Sequence, residues 1–404
     1  MNRKYNDKGE NTCKFHLGYS LPFLITGKKI IMKKQRLLSA MILVVTVTAG
    51  LVGCAAAAKP AGKPLGSGKA APESKIIEDA LGRQVEIPAL VERVVCLNVG
   101  ALRYTCYMQA QDRVIAVEDC EKEQVLSRPY NYVNFDYFKD LPVIGTNGNH
   151  YTEELIAVNP DVIIMSNYDS NDAQKLQDIS GIPVVLVPGS DALMDQDAYE
   201  TLRIMGEVYG NKERAQELIQ YMDQIKKDLN TRTADVPEEK KPSVYVGGVS
   251  FKGFHGFEGT EAGYGPLQVI NARNLADETG HTAGFSIDLE QVMAWDPDVI
   301  FVDFNGMPLI REDYAKHADF YKQLMAVKEE RVYSQISFRS NAANLETALA
   351  DAYYAAVILY PEQFSDVDPE AKATEIFKMF LGNDFYATLK ENGYEFRKIQ
   401  MGEE

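Results

Sequence analysis

Two stretches of the chain repeat one pattern of apolar and polar positions. EELIAVNPDVII begins at Glu153 and EQVMAWDPDVIF begins at Glu290, 137 positions later. Each starts on a glutamate, continues as a short amphipathic stretch, turns at Pro-Asp (Pro160 and Pro297) and ends in a run of β-branched and apolar residues. Proline ends a helix at the residue before it, and an unbroken apolar run after it suits a strand buried on both faces. The same alternation extends on either side. In the first half, 93–98, 113–117, 143–144, 162–165 and 183–187 read as strands, with helices expected near 101–110 and 151–158. In the second, 243–246, 299–303 and 332–334 read as strands, with helices near 265–271, 289–294 and 314–322. Strands alternating with helices predict parallel sheets covered on both faces.

Between the halves, Asn211 is a candidate N-cap, and Ala215, Leu218, Ile219, Met222, Ile225 and Leu229 form one apolar stripe. The expected fold is therefore α/β: two Rossmann-like lobes, 76–210 and 233–404, with mainly parallel sheets, joined by one long rigid helix at 211–232. The carboxyl ends of the two sheets would face each other across a ligand cleft.

The amino-terminal region has a different character. From Met32 it reads MKKQRLLSAMILVVTVTAGLVGC, a basic start, a short apolar run and small residues leading to Cys54. This is the pattern of an export signal, and the apolar run is short for a bilayer span of about 20 residues. The segment 32–53 resembles a bacterial lipoprotein signal, which implies acylation of Cys54. Residues 1–31 fit poorly before such a signal, so the natural start is expected at Met32. Residues 54–75, rich in Ala, Gly, Pro and Ser, read as a flexible tether. The expected product is anchored by lipid alone on the outer face of the bacterial cytoplasmic membrane.

The formal charge of the whole chain is −16, and removing 1–53 leaves 33 basic against 56 acidic side chains. Such a surface repels nucleic acid. Past Cys54 only Cys96, Cys106 and Cys120 remain, an odd number that argues against a disulfide scaffold.

The chain from about Ile76 to Pro361 resembles the helix-linked substrate-binding proteins of ABC importers for ferric siderophores, haem and cobalamin. The resemblance rests on DALGRQVEIPALVERVVCL, the two Glu-to-Pro-Asp units, the helix 211–230 and LYPEQF. The segment after Pro361 and the loop at 247–266 depart from the family. The resemblance implies capture of an iron(III)-siderophore-like chelate, with cobalamin or haem as the alternative, by a monomer without a cofactor. It also implies delivery to a permease dimer with its cytoplasmic ATPase, docked through Glu153 and Glu290.

The candidate ligand contacts follow from placement and chemistry. Arg128, Tyr130 and Tyr132 lie in the aromatic run RPYNYVNFDYF, and Tyr168 follows a strand. Lys252, His255 and Phe257 lie in the glycine-rich loop of the second lobe, and Arg339 in QISFRSN. Rings supply flat apolar contact, and arginine offers a planar donor fork to anionic oxygens. His150, His255 and His281 are weak candidates for direct metal contact, because none is close to another in sequence. No Walker motif, dinucleotide fingerprint, nucleophile elbow or zinc helix is present. The expectation is a binder rather than an enzyme; the alternative is a lipoprotein enzyme that modifies or demetallates a chelate.

Overall fold

The computed structural model describes residues 73–402 apart from 147, 167–169 and 190–192. Tyr168, Cys54, the signal and the tether lie outside the described residues.

Each lobe is built on a four-stranded parallel sheet, and the two sheets have the same construction. In the first lobe the order is Val114–Ala116, Val94–Leu97, Val162–Met165, Val184–Leu186; in the second it is Arg273–Asn274, Ser243–Gly247, Val299–Asp303, Val332–Gln335. The repeated sequence pattern falls on equivalent elements, the helices Thr152–Val158 and Leu289–Trp295 and the strands that follow them. Asn159 and Asp296 end the two helices in the left-handed conformation, at φ 48° and 43°, a role that short polar side chains tolerate.

The repeated Pro-Asp has a second, shared purpose. Asp161 Oδ2 accepts the backbone N–H of Glu92 (2.8 Å) and Arg93 (2.9 Å), where the neighbouring strand begins. Asp298 Oδ2 accepts Ser243 N–H and Oγ–H, both at 2.8 Å, at the equivalent place. The aspartate thus fixes the register of the two central strands in each lobe. Asp298→Ala and Asp161→Ala should each cost about 1–2 kcal/mol, the worth of partly exposed charge-assisted hydrogen bonds. Denaturant unfolding measures this, and an unchanged midpoint in both variants would refute the role.

The motif DALGR closes a hairpin between Ser74–Glu78 and Gln84–Pro88. Buried Asp79 accepts the N–H groups of Leu81 and Arg83 and the Arg83 guanidinium, while Gly82 supplies φ 73°. Arg83 also reaches Val184 O at 2.8 Å, pinning the hairpin to the first sheet.

The linking helix runs Lys212–Thr233, 22 residues and about 33 Å at 1.5 Å per residue. Asn211 caps it by accepting Arg214 N–H at 3.1 Å. Its buried stripe, Ala215 to Leu229, matches the apolar spacing. Near its start, Arg214 donates to Tyr107 O (3.0 Å) in the first lobe; near its end, Thr233 Oγ accepts Asn271 Nδ2–H (2.9 Å) in the second.

The segment after Pro361 is part of both lobes rather than an appendage to the second. Its helix Pro369–Leu381 packs on the almost wholly buried helix Leu345–Leu359. Phe380 meets the Tyr107 ring edge-on at 4.9 Å, and Phe385 packs on Tyr132 at 5.3 Å, both in the first lobe. The chain then returns to the second lobe: Phe396 stacks on Tyr354 at 4.2 Å, and Ile399 N–H donates to Val332 O at 2.8 Å. Helices that the apolar pattern does not announce include Ser170–Ser180 and Gln196–Tyr209, the latter packed along the linking helix.

Candidate functional site

In open parallel sheets, ligands bind beyond the carboxyl ends of the strands. Here those ends carry Asn98–Gly100, Glu118 and Ser166 in the first lobe, and Gly248, Asn305 and 336–344 in the second. The loop 336–344 bridges the lobes. Ser340 Oγ accepts from Ser127 Oγ (3.3 Å), and Asn344 Nδ2 donates to Ser127 O (3.3 Å).

At the centre of that junction is Arg103, in the buried helix Ala101–Tyr107. Its side chain is fully buried. Nε donates to Asn344 Oδ1 (3.1 Å), and Nη2 to the carbonyls of Ser340 (3.1 Å) and Asn341 in the opposite lobe. Nη1 has no hydrogen-bond partner among the described residues. It points toward the strand ends: a Cβ placed on Gly100 would lie 4.0 Å from Nη1 and 3.8 Å from Ser166 Oγ. A buried guanidinium N–H without an acceptor is costly. The carboxyl that acts on Arg103 is Glu346, itself raised above the usual range by burial, although the hydrogen bond from Tyr107 and the Arg103 charge pull it back.

Arg339 comes to the same loop. Its Nε donates to Glu261 Oε2 at 3.1 Å, a second guanidinium nitrogen pairs with Glu261 Oε1, and the group lies over the Phe338 ring at 5.0 Å. The Arg339 side chain is 23 % exposed and Glu261 is 5 % exposed, so the pair sits at the wall of the cleft. Across it, Glu118 Oε2 accepts Asn98 N–H (3.1 Å). Burial pushes the Glu118 carboxyl up to about 7, with Glu121 adding to the rise. Near neutral pH this acid therefore carries much less negative charge than an ordinary glutamate.

Several sequence candidates have other duties. Arg128 is buried, donates to the carbonyls of Cys120 (2.5 Å) and Glu123 (2.8 Å), and pairs with Glu121. Tyr130 is also turned inward, its hydroxyl donating to Glu121 Oε1 at 2.7 Å. The aromatic run is a helix, Pro129–Phe138, whose rings pack on the surrounding structure; Tyr132 rests on Phe385 of the carboxyl-terminal segment. Phe257 is core, within 5.2 Å of the Tyr245 and Tyr321 rings. Apolar area wins burial for Tyr130 and Phe257, which sequence position alone does not reveal.

Lys252 stands exposed at φ 51°, near exposed Phe254, in the loop after Ser243–Gly247. His255 stacks on Phe251 at 3.8 Å, and its Nε2 bonds to Phe251 O at 2.9 Å. His281 stacks on Phe285 at 3.9 Å in an open hollow of ≈ 440 Å³ shared with Asp288, Gln291 and Trp295. His150 pairs with Gly145 in a two-residue strand, and burial lowers its pKa. The three histidines form no common centre, and among the described residues no group of three or more His, Cys, Asp or Glu is placed to hold a metal. Glu153 and Glu290 are exposed in the first turns of the two equivalent helices. Each helix runs opposite to the strand it feeds, so both first turns lie at the cleft ends of their sheets.

The fold and cleft define a two-lobed, helix-linked binding protein. Residues 113–335 match the periplasmic binding protein family, more than half of the 404, and the chain belongs to that family. The molybdate-binding protein MolA of Haemophilus influenzae is 26 % identical over 330 residues, 76 % of this chain and 90 % of its own. The ABC transporter substrate-binding lipoprotein YvrC of Bacillus subtilis is 25 % identical over 64 % of this chain and 76 % of its own. Among solved structures, a periplasmic solute binding protein from Veillonella parvula superposes with a TM-score of 0.63 at 20 % identity, covering 77 % of this chain and 94 % of its own. The chain is thus a solute-binding protein of that family, similar to substrate-binding proteins of ABC transporters.

Proposed function

We propose that the protein captures a small oxyanion of the molybdate type between its lobes and hands it on chemically unchanged. The observation that carries this reading is the buried Arg103 guanidinium. It is held by the carbonyls of one lobe, and its open Nη1 faces the strand ends of the other. A planar fork in a desolvated place recognises anionic oxygens and adds the second lobe to the contact. MolA, named for molybdate, supports the same ligand class. The inward turn of Tyr130 and Phe257 removes two of the rings that would hold a flat macrocycle such as haem or a corrinoid.

A second reading, an iron(III)-siderophore-like chelate, draws on the exposed Lys252 and Phe254 in the loop at the second lobe's strand ends. In either reading Glu153 and Glu290 dock the permease, and Cys54 carries the lipid.

Calorimetric titration with molybdate, tungstate, sulfate, phosphate, ferric chelates, haem and a corrinoid separates the readings. One equivalent of a tetrahedral oxyanion bound at saturation is the expected result. Binding of a ferric chelate with no response to any oxyanion would replace the first reading by the second. Recovery of a chemically altered ligand in excess of the protein would overturn both. For the anchor, Cys54→Ala should move the protein from the membrane to the medium, and retention on the membrane would refute acylation there.

A further inference from the structure

Beneath the loop 336–344, the second lobe buries two carboxyl groups, one of which acts on the charge of the other. Asp303 ends the strand Val299–Asp303, and Asp351 projects from the helix Leu345–Leu359. Their side chains are 1 % and 0 % exposed. One oxygen of each holds the start of the loop. Asp351 Oδ1 accepts Ile336 N–H at 3.0 Å; Asp303 Oδ1 accepts Asn305 N–H at 2.9 Å and the Ser337 hydroxyl. The other oxygens, Asp303 Oδ2 and Asp351 Oδ2, have no hydrogen-bond partner among the described residues. Neither have the Tyr264 and Thr347 hydroxyls.

We propose that Asp303 and Asp351 form a proton-sharing pair that positions the arginine-bearing loop 336–344 for ligand capture. Two buried carboxylates need compensation, from a cation, a proton or a full set of donors. The groups acting on the pair are Glu261, Tyr264, Gln335 and Tyr354, and Arg339 is held beside them by Glu261. The Arg339 charge is matched by Glu261, Gln335 carries no charge, and Tyr264 and Tyr354 are neutral phenols, so the compensation falls to protons. Burial pushes the Asp303 carboxyl up to about 7; the Ser337 and Asn305 bonds pull it back, and the Glu261 charge adds to the rise. Burial likewise holds Asp351 well above the carboxylate range against the pull of the Ile336 N–H; Asp303 repels its charge, and the nearby Gln335 amide draws it slightly back.

The folded loop therefore binds more protons than the open one. Its stabilisation is complete below the ordinary carboxyl value of 3.8 and is lost as pH rises through about 7. Loosening 336–344 releases the carbonyls of Ser340 and Asn341 from Arg103 and shifts Arg339. Asp303 and Asp351 are positioning residues and touch no ligand themselves. The consequence for binding rests on the oxyanion reading, whereas the loop chemistry stands apart from it.

Hydrogen exchange of the 336–344 amides in the intact protein, expressed as protection factors between about pH 5.5 and 8.5, tests the pair without any ligand. Protection should fall by up to about tenfold per pH unit as pH rises toward 7 and level off above it. Asp303→Asn keeps an acceptor for Ser337 and offers Asp351 an N–H, so it should flatten that slope; Asp351→Asn should do the same. A flat wild-type profile, or the wild-type slope retained in both variants, would overturn the proposal. Molybdate titration over the same range should weaken in step with wild-type protection and stay level in Asp303→Asn. A sloping loop with no oxyanion binding at any pH would remove the ligand reading and leave the carboxyl pair in place.

Discussion

Arg103→Lys should weaken oxyanion binding by roughly 30-fold or more while the protein stays folded. Lysine keeps the charge and three donors, but it is a point charge without a fork. It can replace one bond to the loop carbonyls of Ser340 and Asn341, or it can turn to the ligand, but it cannot do both. Losing a desolvated donor to an anion costs on the order of 2–5 kcal/mol, a weakening of roughly 30-fold to several thousandfold. The conservative change is the informative one. Arg103→Ala would also leave Asn344 Oδ1 without its guanidinium partner and so lower stability for a reason unrelated to the ligand. Arg339→Ala is expected to cost less, because Arg339 is part-exposed and already paired with Glu261. Calorimetry alongside thermal unfolding separates the effects. An Arg103→Lys variant with wild-type affinity would remove Arg103 from the site.

The lobes are legible in the sequence because their signals are local and physical. Proline ends a helix, β-branched runs make buried strands, and an apolar stripe at helical spacing makes a packed helix, so the repeated Pro-Asp unit and the linking helix stand out. The site is less legible because a cleft is assembled from residues far apart in the chain. Arg103 lies 237 positions from Ser340, whose carbonyl it meets. The local hint is a charge inside the run Leu102 to Tyr107, a helix buried on every side. Arg128 shows the converse: an arginine beside tyrosines looks like a ligand contact, yet its donors serve the carbonyls of its own loop. Tyr130 and Phe257 mislead for a related reason. An aromatic residue in a glycine- or asparagine-rich stretch reads the same whether it faces a cleft or a core. The carboxyl-terminal segment departs from the family pattern, and its packing on the first lobe through Phe380 and Phe385 depends on Tyr107 and Tyr132, far back in the chain.

Reversing both docking carboxylates, with Glu153→Lys and Glu290→Lys together, should abolish transport and leave ligand affinity in solution at the wild-type value. The equivalence of the lobes carries the argument. Glu153 and Glu290 open equivalent helices, each leading into the equivalent inner strand of its sheet, and both are exposed at the cleft end. A permease dimer with two-fold symmetry presents the same pocket twice, so a protein with one carboxylate at each matching site meets both pockets in the same geometry. A helix terminus favours any acidic residue in its first turn, which accounts for Glu154 as readily as for Glu153. It does not account for an exposed glutamate at the same step of both copies. Rim charges steer association and set its salt dependence more than they hold the final complex. Each single reversal should therefore slow uptake and shift its salt dependence, with the double reversal far worse than either. Neither carboxylate belongs to the Arg103–Arg339 junction, so soluble protein should titrate normally. The measurement is uptake by vesicles carrying the permease and ATPase, beside calorimetry of the same variants. Full transport by the double variant would end the docking role, and lost ligand binding would move both residues into the cleft.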